Sequence, residues 1–160
     1  MFKFDKLVFG DLGWGDEFLF ATLMTVTVCI LSMGLGLCLA IITVWAKLIT
    51  NRITKFIATF YTTVVRGVPE LLVIYLIFFG GNSVLMSVAK LFGYNGYIEL
   101  NALTIGTIAI AFISATYSSE VIRAAYLAVN KGQVEAAKAL GLSRIQIFLR
   151  VMGPQIIRHA

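Results

Sequence analysis

The sequence predicts an all-α protein, a polytopic bundle of membrane helices with three transmembrane helices and a cytoplasmic helix-turn-helix. Apolar residues make up 59% of the 160 residues and charged residues only 13%, whereas soluble domains are typically about 45–50% apolar and about 25% charged. Residues 18–46, 71–89 and 100–119 contain no charge, and about 20 such residues cross the hydrocarbon core as a helix. The alternating pattern of barrel strands is absent, which also favours helices.

The N-terminal part predicts a short external segment at residues 1–17, followed by a first transmembrane helix at residues 17–47. Acidic residues precede the apolar stretch, where a signal peptide would have a basic region, so the stretch is interpreted as a retained helix. Small residues recur along it and would allow close packing against another membrane helix. They are Ser32, Gly34, Gly36 and Ala40.

The second transmembrane helix is predicted at residues 53–80, broken near Pro69. Proline lacks a backbone donor and disfavours helix at the residue before it. An alternative is an interfacial segment followed by a helix that begins at Pro69, since proline is accepted in a first turn. Gly80-Gly81-Asn82 is predicted to end this helix, and residues 81–100 to form an external loop with a short helix around residues 84–92.

The third transmembrane helix is predicted at residues 102–129 and carries Glu120 and Arg123 near its inner end. Residues three apart on a helix are neighbours, so these two side chains could pair.

A cytoplasmic loop of two short amphipathic helices is predicted at residues 130–154. Asn130 and Ser143 have the residue types of N-caps, and Gly141 between them could end the first helix. Gln146, three residues after Ser143, completes a capping-box pattern. Met152-Gly153-Pro154 is predicted to end the second helix, whose apolar side would comprise Ile145, Phe148, Leu149 and Met152.

The distribution of charge predicts the orientation of the chain. Lysines and arginines follow the first and third apolar stretches, whereas the acidic residues concentrate before the first and after the second. Short loops rich in Lys and Arg stay cytoplasmic, so the N-terminus is predicted to be external. The net charge of +5 is interpreted as this topology signal, and no nucleic-acid partner is inferred from it.

Three sequence runs resemble the membrane subunit of bacterial ATP-binding-cassette importers for polar amino acids or opines, the histidine/arginine/octopine-type permeases. Residues 66–72, Arg-Gly-Val-Pro-Glu-Leu-Leu, are similar to the Arg-Gly-Thr/Val-Pro segment of that family. Residues 117–123, Tyr-Ser-Ser-Glu-Val-Ile-Arg, resemble its Tyr-x-x-Glu-x-x-Arg helix end. Glu135-Ala136-Ala137, then Gly141 and Pro154, resemble the loop named EAA that importer permeases share.

The resemblance implies that the loop docks a separate ATP-hydrolysing subunit, through Glu135, Ala136, Ala137 and Gly141. It also implies an external substrate-binding protein, a second permease subunit and surrounding lipid as partners, in the bacterial inner membrane. ATP and Mg would be bound by the partner subunit, since the chain has no G-x-x-x-x-G-K-[ST] motif. No catalytic, metal or cofactor site is expected in this chain. Such subunits have about five transmembrane helices, so the chain is expected to be a fragment.

Four charged residues lie within or beside apolar stretches, where a charge is costly. They are Arg66, Glu70, Glu120 and Arg123. They could line a polar path for a charged or zwitterionic substrate, or they could form structural pairs, with the arginines reaching the headgroups. The function favoured is an alternating-access permease coupled to ATP hydrolysis through residues 135–150. A permease of another importer subclass and a non-transporting membrane scaffold remain as alternatives.

Overall fold

The computed structural model describes residues 13–93, 96 and 101–160, so most of the predicted external segment 1–17 and part of the predicted loop 81–100 lie outside the described residues. All regular secondary structure in these ranges is helical, which confirms the all-α prediction. The helices are α1 (Gly15–Leu48), α2 (Arg52–Gly67), α3 (Glu70–Leu91), α4 (Ala102–Ala128), α5 (Lys131–Ala139), α6 (Arg144–Ile147) and α7 (Gly153–His159), with a π-helical turn at Phe148–Met152 between the last two.

The core of the bundle is the contact between α1 and α4, the most extensive contact between helices in the described residues. Gly36 lies at a close approach of the two helices, where a Cβ would come within 3.2 Å of the Ala111 carbonyl oxygen. Ser32 donates a hydrogen bond to the Thr107 carbonyl oxygen at 3.2 Å. Gly34, which was also expected in the packing stripe, is exposed with open space around it. The packing face therefore follows the helical repeat of four, through Ser32, Gly36 and Ala40.

The expected break at Pro69 separates two helices, α2 and α3, and the chain bends by 110° between them. Val68 has the extended backbone that a residue before proline favours, with φ −110° and ψ 143°. Val65, Val73 and Ile113 form a small apolar cluster that holds both sides of the break against α4. By length and composition α1 and α4 can each cross a membrane, and the bent pair adds a third crossing if it acts as one span.

The end of α3 differs from the prediction. The helix continues through Gly80-Gly81-Asn82 to Leu91, so the loop predicted to begin at residue 81 is wrong for residues 81–91, and the short helix expected around residues 84–92 is the last part of α3. A glycine inside a helix costs only about 1 kcal/mol relative to alanine. In an apolar environment a break would leave backbone groups without partners at a higher cost, so the helix continues.

Helices α5 and α6 form the predicted helix-turn-helix, which we call the elbow (residues 130–147). The Asn130 side chain accepts a hydrogen bond from the Gly132 amide at 2.8 Å, and Ser143 and Gln146 form the complete capping box. Gly141 follows α5 with φ 75°, a backbone conformation that residues with a Cβ rarely adopt.

The expectation that Met152-Gly153-Pro154 ends the second helix is wrong. The chain passes through the π-helical turn directly into α7, with Pro154 in its first turn. A proline is accepted there because its missing N–H is not needed. A π-helical turn is one of the usual ways in which a helix accommodates such an interruption.

Candidate transport site and coupling elbow

Helices α1, α2 and α4 are joined by a polar cluster around the buried Lys47. Its ammonium group donates hydrogen bonds to a Glu120 carboxylate oxygen (Oε1) and, at 2.6 Å, to the Thr62 hydroxyl. The other Glu120 oxygen (Oε2) accepts from the Arg123 guanidinium, with Nε at 2.9 Å and Nη2 at 2.8 Å. Glu120 therefore uses both carboxylate oxygens for two cations, and these three residues carry a net charge of +1.

The pairing of Glu120 with Arg123 agrees with their spacing in the sequence, but the involvement of Lys47 was missed. Sequence reasoning assigned Lys47 to the cytoplasmic charges that set orientation. In the structure Lys47 is only 7% exposed. One signal could have identified it: Lys47 continues the helical repeat of Ser32, Gly36, Ala40 and Thr43, all of them buried on the face of α1 that packs against α4.

A second charged group lies at the break between α2 and α3. Arg66, in the last turn of α2, places its guanidinium 5.3 Å from the centre of the Tyr117 ring of α4, a cation–π contact. The Glu70 carboxylate, in the first turn of α3, interacts with the Tyr117 hydroxyl from the other side of the break. Arg66 makes no ion pair with a carboxylate of the described residues.

Both groups meet at a cleft of about 420 Å³ between α2 and α4. Three threonines, two charged residues and a tyrosine contribute to its walls. The lining residues are Thr59, Thr62, Thr63, Arg66, Gly67, Tyr117 and Glu120. Glu70 and Arg123 do not line the cleft, but each interacts with a lining residue, Glu70 with Tyr117 and Arg123 with Glu120. Guanidinium and hydroxyl groups suit a substrate carboxylate, and Arg66 and Glu120, two of the four charged residues that the sequence singled out, line the cleft.

The elbow residues that were expected to dock a partner differ in their exposure. Glu135, Ala136 and Gly141 are exposed, whereas Ala137 is 5% exposed and buried within the chain. Helix α5 packs against α6 and the π-helical turn, so Ala137 allows the two halves of the elbow to approach each other. The close approach of a partner at Ala136 and Ala137 stays a prediction.

The apolar side expected for the second elbow helix is mostly exposed. Ile147 is the residue of α6 that is buried, whereas Ile145 and Leu149 are 72% and 65% exposed. Leu140, at the end of α5, is 81% exposed. Exposed apolar residues are typical of a surface that another protein covers.

Comparison with known proteins shows that this chain is similar to membrane components of transport systems. The family of inner membrane components of binding-protein-dependent transport systems matches residues 32–160. The chain is 46% identical to the nopaline transport system permease protein of Agrobacterium fabrum over 96% of its length. It is 41% identical to the octopine transport system permease protein of Rhizobium radiobacter over 95% of its length. Identity to the histidine/lysine/arginine/ornithine transport system permease protein of Escherichia coli is 37% over 92%.

The chain spans just under two thirds of the length of these relatives: 66% of the nopaline permease and 64% of each of the other two. Among solved structures, it is similar to a crystal structure of an amino acid ABC transporter with histidines. The TM-score is 0.66 and the identity 31%, and the match covers 86% of this chain and 58% of that one.

Proposed function

The chain belongs to the family of inner membrane components of binding-protein-dependent transport systems, and from this membership we propose that it acts as a permease subunit of an ATP-driven importer for polar or basic amino acids or opines. The observation that carries the proposal is the polar cleft between α2 and α4. Charged residues within membrane helices usually face a substrate pathway or one another, and Arg66 and Glu120 face this cleft.

Other subunits of the importer hydrolyse ATP, deliver the substrate and complete the pathway. An ATPase docks on the exposed elbow surface around Glu135 and Ala136, and it binds ATP and Mg itself. An external binding protein delivers the substrate, and a second permease subunit, identical or paralogous, completes the pathway. The N-terminus lies on the external side, since the elbow must face the cytoplasm. ATP drives transport by changing the relative stability of the outward-open and inward-open states.

Replacement of Gly141 with valine should uncouple transport from ATP hydrolysis. A β-branched residue is strained at φ 75°, so the turn between the elbow helices changes and the docking surface loses its shape. Substrate uptake should fall to background while ATP hydrolysis persists, as measured in vesicles that contain the assembled transporter. Gly141→Asn is the matched control, because asparagine tolerates this conformation. Unchanged uptake in the valine variant would count against the docking role.

Replacement of Arg66 with methionine should reduce uptake by on the order of tenfold or more, the scale expected for the loss of a hydrogen bond to a charged group. Folding should be little affected, because Arg66 is exposed and makes no ion pair with the described residues. Radiolabelled uptake, normalised to the amount of permease in the membrane, measures the effect. Arg52→Met, at the opposite end of α2, is the control. If both variants transport at the wild-type rate, the scaffold alternative gains support.

A further inference from the structure

Glu120 is one of two charged residues that line the cleft, yet its charge is more than balanced. Arg123 binds Oε2 through two nitrogens, and this ion pair alone neutralises the carboxylate. Lys47 then adds a second cation at Oε1. Lys47 is therefore not needed to keep Glu120 from being an unpaired charge. Its electrostatic effect is to add a positive charge beside two residues of the cleft wall, Thr62 and Glu120.

A purely structural link between α1, α2 and α4 would not require this lysine. Burial of an ammonium group costs several kcal/mol in desolvation, and apolar residues of similar volume often hold helices together as well or better. Thr62 and Glu120, the two groups that Lys47 contacts, both line the cleft. Lys47 is thus buried at a cost in free energy, and in its buried position it holds two groups that a substrate would meet in the cleft.

We propose that Lys47 is a specificity-determining positioning residue: it occupies Glu120 Oε1, which withdraws the carboxylate from the substrate and leaves the cleft with a net positive charge. The charges of Lys47, Arg66, Glu70, Glu120 and Arg123 sum to +1. A cleft of this charge favours the carboxylate end of a substrate and discriminates against an additional cation on it. This inference rests on the proposed transport function and narrows its substrate class: among polar and basic amino acids and opines, the cleft disfavours those with an additional cation.

The test compares two probes of nearly the same shape, L-arginine and L-citrulline, whose side chains end in a cationic guanidinium and a neutral urea group. Uptake of each is measured in vesicles that contain the assembled importer with its binding protein. In Lys47→Met, Glu120 Oε1 becomes available and the net charge falls to zero. The ratio of arginine to citrulline uptake should rise on the order of tenfold relative to wild type, the scale of one partly buried unit charge.

Three control variants separate selectivity from structure. Lys47→Arg keeps the charge and should keep the wild-type ratio. Lys47→Met combined with Glu120→Gln removes the uncovered carboxylate and should return the ratio toward wild type. Lys55→Met removes an exposed lysine of α2 and should leave the ratio unchanged. All ratios are compared at the same binding-protein concentration, so any difference arises in the permease.

A fall in the uptake of both probes by the same factor in Lys47→Met would overturn the inference, because that is the signature of a structural role. An unchanged ratio would overturn it as well. A wild-type transporter that moves neither probe nor octopine would instead reject the proposed function, and the inference with it. The two failures are thus distinguishable.

Discussion

Replacement of Glu120 with alanine is expected to destabilise the folded chain by about 3–5 kcal/mol, the usual cost of leaving one partner of a buried ion pair without its counter-ion. Lys47 is only 7% exposed, so its ammonium group is largely shielded from water, and without Glu120 it keeps Thr62 as a hydrogen-bond partner. Arg123 is half-exposed and can turn toward solvent. The cost therefore arises mainly at Lys47. Thermal unfolding of the detergent-purified protein measures it as a lowered melting temperature.

Two comparisons identify the source of this loss. Arg123→Ala leaves the pair of Lys47 and Glu120 intact, so its melting temperature should fall much less. The double variant Lys47→Met with Glu120→Gln removes both buried charges and should recover most of the stability of wild type. If Glu120→Ala and Arg123→Ala prove equally destabilising, the burial of Lys47 is not the cause.

Local signals in the sequence predicted the ends of several helices. Asn130 and Ser143 cap α5 and α6 as their side chains indicated, since capping depends on groups two or three residues away. Pro69 separates α2 from α3, and this signal is also local, because proline restricts only its own backbone and that of the residue before it. The two wrong boundaries are those where a local breaker was outweighed: α3 passes Gly80 and Gly81, and the π-helical turn carries the chain to Pro154.

The site was less accessible to sequence reasoning because its contacts join distant parts of the chain. Glu120 and Arg123 are three residues apart, and their pairing follows from helical geometry. Lys47 and Glu120 are 73 residues apart, and nothing local specifies that they meet. Their contact follows from the packing of α1 on α4, which depends on which small residues share a helix face. Gly34 and Gly36 appeared equivalent in composition, but only Gly36 lies on that face.

The charge cluster consequently depends on a glycine three turns away. Lys47 lies on the same face of α1 as Gly36, and its distance from Glu120 is set by how closely α1 approaches α4. A wider separation at Gly36 would draw the ammonium group away from the carboxylate and open the cluster to water. The packing of α1 on α4 and the electrostatics of the Lys47 cluster are therefore linked.

Replacement of Gly36 with leucine is accordingly expected to lower stability by about 3 kcal/mol or more, at the upper end of the range for overpacked cores. Even a Cβ at this position would come within 3.2 Å of the Ala111 carbonyl oxygen and 3.3 Å of the Ser114 Cβ, so a larger side chain must push the helices apart. Thermal unfolding and the yield of monodisperse protein after size exclusion measure the loss, and uptake should fall with it.

The matched control for this substitution is Gly34→Leu, on the same helix two residues earlier. A Cβ there meets nothing within 4 Å, and the position is exposed on the outer face of α1, where leucine suits the surrounding lipid. This variant should unfold at or above the wild-type temperature. Equal effects of the two leucines would mean that the loss reflects a general intolerance of bulk in α1, and the close contact between α1 and α4 at Gly36 would then be rejected as its cause.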